Sequence, residues 1–197
     1  MILRFTMGFA LLALAACGGG GGTAVTSSGF APVGSDGLIL TDPGAEQSAS
    51  GAINFGQSGY AYAVQSNGAS VTGRAALINP GAITGRPVTG FGRFDARYQV
   101  NEIRDTSASR EIAEVEGQIP LTVNFDNGRV RGSGGPLSVT GQMDDRGTGF
   151  TGTTSWRGVT GELRGRANAG TIIGAFSGNT ATSVHAGGFS GLGNTSR

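Results

Sequence analysis

The sequence predicts an all-β protein, an eight-stranded antiparallel up-and-down β-barrel preceded by a small β-hairpin unit and a glycine-rich tether. Three observations carry this. Beyond residue 90 apolar and polar residues alternate with period two over long stretches, the pattern of strands with one buried face. Asn-Gly and Asp-Asn-Gly turns break those stretches at short intervals, as strand–turn–strand connections require. Glycine supplies 38 of 197 residues, without collagen's spacing and interspersed with Val, Ile, Leu and Phe, so the chain reads as turn-rich sheet rather than as disorder.

Taken in order, residues 1–16 read as a lipoprotein signal peptide. Arg4 gives the positive start, residues 5–14 an apolar run, and Ala15-Ala16 the small residues that precede a cleavage point. The run is shorter than the ~20 residues a spanning helix needs. Cys17 is the only cysteine, which leaves it no disulfide partner in the chain, and Leu14-Ala15-Ala16-Cys17 resembles a bacterial lipoprotein acylation site. Cys17 is therefore expected to carry the lipid. Gly18 rather than Asp follows it, which favours outer-membrane sorting. The several acyl chains of such an amino terminus hold a protein durably where one holds it marginally.

Residues 17–35 read as the lipidated cysteine and a flexible linker, from the run of five glycines and the small polar residues after it. Residues 36–82 read as a small β-rich accessory segment. Within it Tyr60, Tyr62 and Val64 alternate with small residues, Asn67-Gly68 marks a two-residue turn, and Val71, Gly73 and Ala75 alternate beyond it, which sets Val64 opposite Val71. A lone hairpin is marginal in water, so this one must dock on something larger.

The larger object is assigned to residues 83–197, starting near Pro87. Phe94, Ala96, Tyr98 and Val100 share one face, with Arg93, Asp95, Arg97 and Gln99 on the other. After a polar loop at 105–109 the pattern resumes with Val115, Gly117, Ile119, Leu121, Val123 and Phe125 inward. Pro120 falls on the polar face and lacks a donor, so a bulge or an unpaired position is expected there. The Asp126-Asn127-Gly128 turn predicts Phe125 opposite Val130, Asp126 opposite Arg129 and Asn124 facing Arg131. Further strands are expected at 137–143, 148–156, 159–167, 171–177 and 186–191, with turns at 144–147, 157–158 and 168–170 and a loop at 179–185. With the short strand after Gly128 the total is eight, which suits a closed barrel without exposed edges. At that size the interior is filled by side chains or holds one small ligand. Trp156, Phe150, Phe94, Phe125 and Phe176 fall on inward positions and are expected in the core.

Gly161-Glu162-Leu163-Arg164-Gly165, Gly174-Ala175-Phe176-Ser177-Gly178 and Ala186-Gly187-Gly188-Phe189-Ser190-Gly191 resemble the closing strands of the β-barrel domain of transferrin-binding protein B and its relatives. Leu121-Thr122-Val123-Asn124-Phe125-Asp126-Asn127-Gly128 is similar to an upstream segment of that family. The resemblance implies a surface-exposed lipoprotein of single-barrel form that captures host iron proteins, haem-bearing proteins or complement regulators. Ser177, Asn179 and the stretch 183–185 depart from the family's pattern, and one barrel stands where transferrin receptors carry two lobes, which separates the fold from transferrin as its ligand.

The composition excludes much chemistry. There is no lysine; all 14 cations are arginines, so Schiff-base catalysis and Walker-type phosphate loops are out of reach. Net charge is +1, and without Arg4 it is zero, so nothing in the overall charge attracts nucleic acid. One histidine makes no zinc site, no metal ligands are assigned, and no Gly-x-Ser-x-Gly elbow occurs. Asp144-Asp145 reads as a solvated turn. His185 is a weak ligand-binding candidate, as an axial ligand were haem captured; otherwise it is a polar loop residue, and no cofactor is expected. From Arg93 to Asp126 there are four Arg and seven acids, and from Asn127 onward seven Arg and three acids. Cross-strand pairing such as Asp126 with Arg129 accounts for part of this skew, and a surface that steers a partner is the other reading.

The functional expectation is a non-catalytic, outer-membrane lipoprotein, exposed at the cell surface, that binds a protein or small ligand through its barrel loops, with an outer-membrane translocator or receptor as a possible further partner. Two alternatives stand beside it. One is an integral outer-membrane β-barrel, whose lipid-facing side would use the same alternation. The other is a periplasm-facing structural lipoprotein.

Overall fold

The structure, a computed structural model, describes residues 25–85, 89–106, 109–145 and 147–194. The signal peptide, Cys17, Pro87 and Arg146 lie outside the described residues. The first four strands, β1 (Val25–Phe30), β2 (Gln47–Phe55), β3 (Ser58–Asn67) and β4 (Ser70–Ile78), form one sheet in the order β1-β4-β3-β2, with β1 parallel to β4. A 3-10 turn at Pro80–Ala82 leads away from it.

The next eight close the predicted barrel: β5 (Phe91–Thr106), β6 (Ser109–Asn124), β7 (Arg129–Gly134), β8 (Leu137–Met143), β9 (Gly149–Trp156), β10 (Val159–Ala167), β11 (Thr171–Asn179) and β12 (Ser183–Asn194). Each is antiparallel to its successor, and β12 pairs back onto β5, which leaves no open edge. Inward positions are apolar, from Phe94, Ala96, Tyr98 and Val100 on β5 to Leu163 and Ala167 on β10. Outward positions on the uncovered strands are exposed Arg, Thr, Gln and Glu. The five aromatics expected in the core are all there, none more than 3% exposed.

One recurrent pairing helps to fill the lumen: several large side chains that meet another large one on one neighbouring strand lie directly across from a glycine on the other. Tyr98 pairs with Gly117, Leu121 with Gly132, Phe150 with Gly165 and Phe189 with Gly174. A Cβ added at Gly165 would stand 2.1 Å from Phe150 Cζ, and one at Gly174 2.3 Å from Phe189 Cζ. The rings therefore occupy the volume those side chains would need. Tyr98 also meets Trp156 edge-on, with ring centroids 5.9 Å apart, a favoured aromatic geometry.

The small sheet lies on the outer wall of the barrel. Tyr60, Tyr62, Val64, Val71 and Ala75 pack on Ile103, Ala175, Val184 and Ala186, outward residues of β5, β11 and β12. This explains why β11 and β12 are buried on both faces while β10 alternates. Gly188 makes the approach possible, since a Cβ there would lie 2.3 Å from the Tyr60 ring. The sheet's other face is covered by Ile39 and partly buried Ala31 and Val33.

Four expectations are corrected. Residues 25–30, within the stretch read as a flexible linker, form β1, because Ser28 and Thr26 reach Asn179 and Thr180 and Ser177 Oγ donates to Gly29 O at 2.8 Å. The first hairpin turns one residue later than expected: Asn67 pairs with Ser70 and Val64 with Gly73. Gly68 has φ +55 and Ala69 is not left-handed, so glycine takes the first central position of a II′-type turn. The turn after β6 has four residues rather than two, so Asn124, not Asp126, lies opposite Arg129. Asn124 Oδ1 accepts from the backbone of Asp126 and Asn127, and Phe125 N donates to Gly90 O, which holds Phe125 inward off the ladder. Pro120 keeps register with Asp95 and is unpaired on its β7 side, where the ladder ends at Leu121, so of the bulge or unpaired position expected there the second is found. The loop read over 179–185 shrinks to three residues as β12 starts at Ser183, and β5 and β6 extend to Thr106 and from Ser109. The turn at Arg157-Gly158 is as expected, with φ 50 and 85, the two left-handed residues of a type I′ hairpin.

Because Phe150 Cζ and Ile173 O, 2.5 Å from the same added Cβ, both crowd Gly165, Gly165→Ala is expected to lower stability by about 1–3 kcal/mol through overpacking. Urea unfolding would show a lower midpoint at unchanged slope; an unchanged midpoint would mean the lumen has slack at that layer.

Candidate functional site

The packed lumen leaves binding to the outer surface, where a concavity lies at the seam between the two sheets. The tip of the β2–β3 hairpin overhangs the wall where β5, β6 and β12 pass, enclosing a cleft of ≈ 720 Å³. That volume falls within the range of small-ligand sites, roughly 300–1,000 Å³. Ile53, Phe55 and Tyr60 form its roof, and Leu192, 64% exposed, its apolar lip. The floor is polar because β5 and β6 turn their outward positions to it: Asp95, Arg97 and Gln99 from one, Glu116 and Gln118 from the other.

These side chains are tied to one another unevenly. Tyr62 donates its hydroxyl to Gln99 Oε1 at 3.0 Å, and Gln99 Nε2 donates to Glu116. Asn194 Nδ2 donates to Asp95 at 3.4 Å. Arg97 forms no ion pair among the described residues. Burial raises the Tyr60 hydroxyl well above its ordinary value, reinforced by Tyr62 and Glu116 and offset in part by a hydrogen bond with the Gln99 backbone. Burial, then the charges of Glu114 and Glu116, push Tyr62 up to about 12. Both phenols stay neutral hydrogen-bonding groups across the ordinary pH range. The cleft thus offers an apolar roof, an unpaired guanidinium and flanking carboxylates, an arrangement suited to holding a ligand without reacting with it.

His185, the ligand-binding candidate read from the sequence, lies elsewhere. It stands inside β12 rather than in a loop, 1% exposed, paired with Glu102 on one side and Gly178 on the other. Its ring crosses Gly178 and Gly161 toward β9; a Cβ on Gly161 would sit 3.0 Å from Nε2. Nε2 and the nearby Thr154 Oγ1 are both buried without a hydrogen-bond partner. Strand backbone encloses the ring on this side, which leaves no face for a haem. Burial lowers its pKa to about 4 against a small opposing effect of Glu102.

Glu102 escaped the sequence reading and is the centre of this buried end of the lumen. Only 3% exposed, it accepts two bonds from Arg104 at 2.9 Å and one from Trp156 Nε1 at 3.3 Å, with Arg157 Nε 3.7 Å away and its guanidinium over the Trp156 ring. Burial pushes its carboxyl up, but the hydrogen bonds from Arg104 and Trp156 and the charges of Arg104 and Arg157 outweigh it and hold the pKa below the usual carboxylate range. One signal was available: Glu102 occupies the inward parity set by Phe94 to Val100.

Two outcomes follow for this end of the barrel. Because folding depresses the His185 pKa from 6.5 to about 4, the unfolded chain binds the proton first; stability is full above about 6.5 and falls as pH drops towards 4. Urea midpoints should decline over that window, and His185→Gln should flatten the decline; a slope unaffected by the substitution would assign it to other groups. Glu102→Ala should cost about 1–3 kcal/mol by stranding the Trp156 N–H and two guanidiniums, read as a lowered unfolding midpoint.

No family model matches the chain, and no curated protein does. Solved structures do. The chain is similar to transferrin-binding protein B from Haemophilus parasuis in a single-substitution form, with a TM-score of 0.50 and 12% identity over 70% of this chain and 33% of that one. A double-substitution form of that protein gives a TM-score of 0.50 and 12% identity over 78% of this chain and 38% of that one. The chain therefore spans about a third of the length of these two structures. At this identity the likeness is one of architecture: the eight-stranded barrel with its docked sheet has the fold of part of transferrin-binding protein B.

Proposed function

We propose that this protein is a non-catalytic binding lipoprotein, anchored in the outer membrane through acyl chains on Cys17 and displayed at the cell surface, that takes a protein or small ligand on the outer wall of its barrel. The cleft beneath the β2–β3 hairpin is the observation that carries the reading, and it moves the binding site from the barrel loops to the seam beside them. The apolar, side-chain-filled lumen supports the same choice. Similar structures are named for binding transferrin, a protein, which supports a protein ligand; an outer-membrane receptor or translocator would be a further partner.

The polar outward face weighs against an integral outer-membrane barrel, since such barrels turn an apolar band to lipid, whereas Arg129, Arg131, Thr140 and Thr151 face outward here. Haem capture through His185 is left aside because the imidazole is enclosed. Catalysis lacks parts: the one histidine is buried away from the cleft, and the chain has no lysine.

Cys17→Ser is expected to abolish acyl labelling and release the protein from membranes. Protease added to intact cells should degrade the wild-type protein; survival in intact cells with loss in permeabilised ones would place it facing the periplasm. For the cleft, the immobilised protein and its Leu192→Arg form would be compared in pull-downs read by mass spectrometry. A species retained by the first and lost from the second supports the site, and equal retention of every species excludes it.

A further inference from the structure

Away from the small sheet, the barrel presents a broad uncovered wall whose chemistry differs from the cleft's. The register aligns outward side chains in two rows across the strands. The first runs Arg93, Thr122, Arg131, Thr140, Thr153 over β5 to β9, and the second Asn124, Arg129, Gln142, Thr151 over β6 to β9. All except half-buried Asn124 are exposed. Arg93, Arg129 and Arg131 form no ion pair among the described residues. The cross-strand pair that would have neutralised one of them is not made, since the four-residue turn sets Asn124 opposite Arg129 and the Asp126 carboxylate accepts the Gly90 N–H instead. Glu162, opposite Thr153 on β10, and Asp95, two residues along β5 from Arg93, are acids that border the rows.

We propose that this wall of β5 to β9 docks an acidic polysaccharide, its carboxylates or sulfates on Arg93, Arg129 and Arg131 and its hydroxyls on the intervening Thr and Gln side chains. With strands about 4.8 Å apart and alternate residues about 7 Å apart, the three arginines spring from backbone positions roughly 7–12 Å from one another. They are too far apart to share one small anion and are spaced to meet successive charges on a chain. Arginine also suits the groups, since its planar fork binds carboxylate and sulfate oxygens two at a time. The wall carries no row of aromatic platforms on which bases would stack, as single-stranded nucleic acid requires; Phe91, 62% exposed at its margin, suits the apolar face of one sugar ring. Net charge of the whole chain is +1, so attraction for a polyanion must come from this local patch and fall with salt.

The test uses the purified full-length protein in neutral detergent. Dextran sulfate and polygalacturonate are the probes, neutral dextran and single-stranded DNA the controls. Binding of both acidic polymers is expected, weakening by about tenfold or more between 50 and 200 mM salt, with neutral dextran inert and DNA weaker than either. Combined Arg93→Gln, Arg129→Gln and Arg131→Gln should weaken binding at least about tenfold, and Arg131→Glu alone should act in the same direction. Arg97→Gln, in the cleft, should leave it unchanged, which separates this wall from the ligand site proposed above. Absence of binding, equal binding by the triple variant at an unchanged unfolding midpoint, or DNA binding as tight as the polysaccharides would each overturn the proposal.

Discussion

The pairing of several large lumen side chains with a glycine on one neighbouring strand is the constraint on which the rest of the molecule depends. An eight-stranded barrel is only wide enough for side chains to fill it, so where Tyr98 meets Phe189, Leu121 meets Phe94 and Phe150 meets Met143 on one neighbouring strand, a glycine on the other leaves room. Gly117, Gly132, Gly165 and Gly174 give Tyr98, Leu121, Phe150 and Phe189 their space. The same device recurs outside, where Gly188 admits Tyr60 and seats the small sheet on the wall. Much of the chain's high glycine content is thereby a packing requirement rather than a sign of slackness. Filling the interior also moves recognition outward.

Much of the fold was legible because a barrel wall is a repeated period-two signal, and eight strands in register reinforce one another. Phe94, Phe125, Phe150, Trp156 and Phe176 could be placed inside from parity alone, since a buried face tolerates no slip. The errors cluster at turns. A two-residue reading of Asp126-Asn127-Gly128 treats local propensity as decisive, yet Asn124 captures two backbone donors and Phe125 is held by Gly90. The two-residue slip keeps every side chain on its face, so the alternation could not reveal it. At Asn67-Gly68 the turn moves on by one residue, which shifts the partner of Val64 by two, from Val71 to Gly73, so here too each side chain keeps its face.

The candidate site was less legible for a physical reason: it joins residues far apart in sequence. Tyr60 and Phe55 come to Arg97, Glu116 and Leu192 only when the small sheet docks, and no local pattern encodes that docking. Leu192 alone left a trace, an apolar residue on the outward parity fixed by Phe189. His185 misled because its neighbours Thr180 to Ser183 are small and polar, so the pattern starts β12 three residues late.

The hydrogen bonds of β1 to Asn179 and Thr180 have a consequence for posture. They fasten the entering chain at the barrel rim that also holds Glu102 and Arg157. Seven residues lie between Cys17 and Val25, a leash of at most about 30 Å. A lipid on Cys17 would thus keep that rim pointed at the bilayer and hold Leu192, Asp95 and the overhanging hairpin on the side that meets arriving molecules.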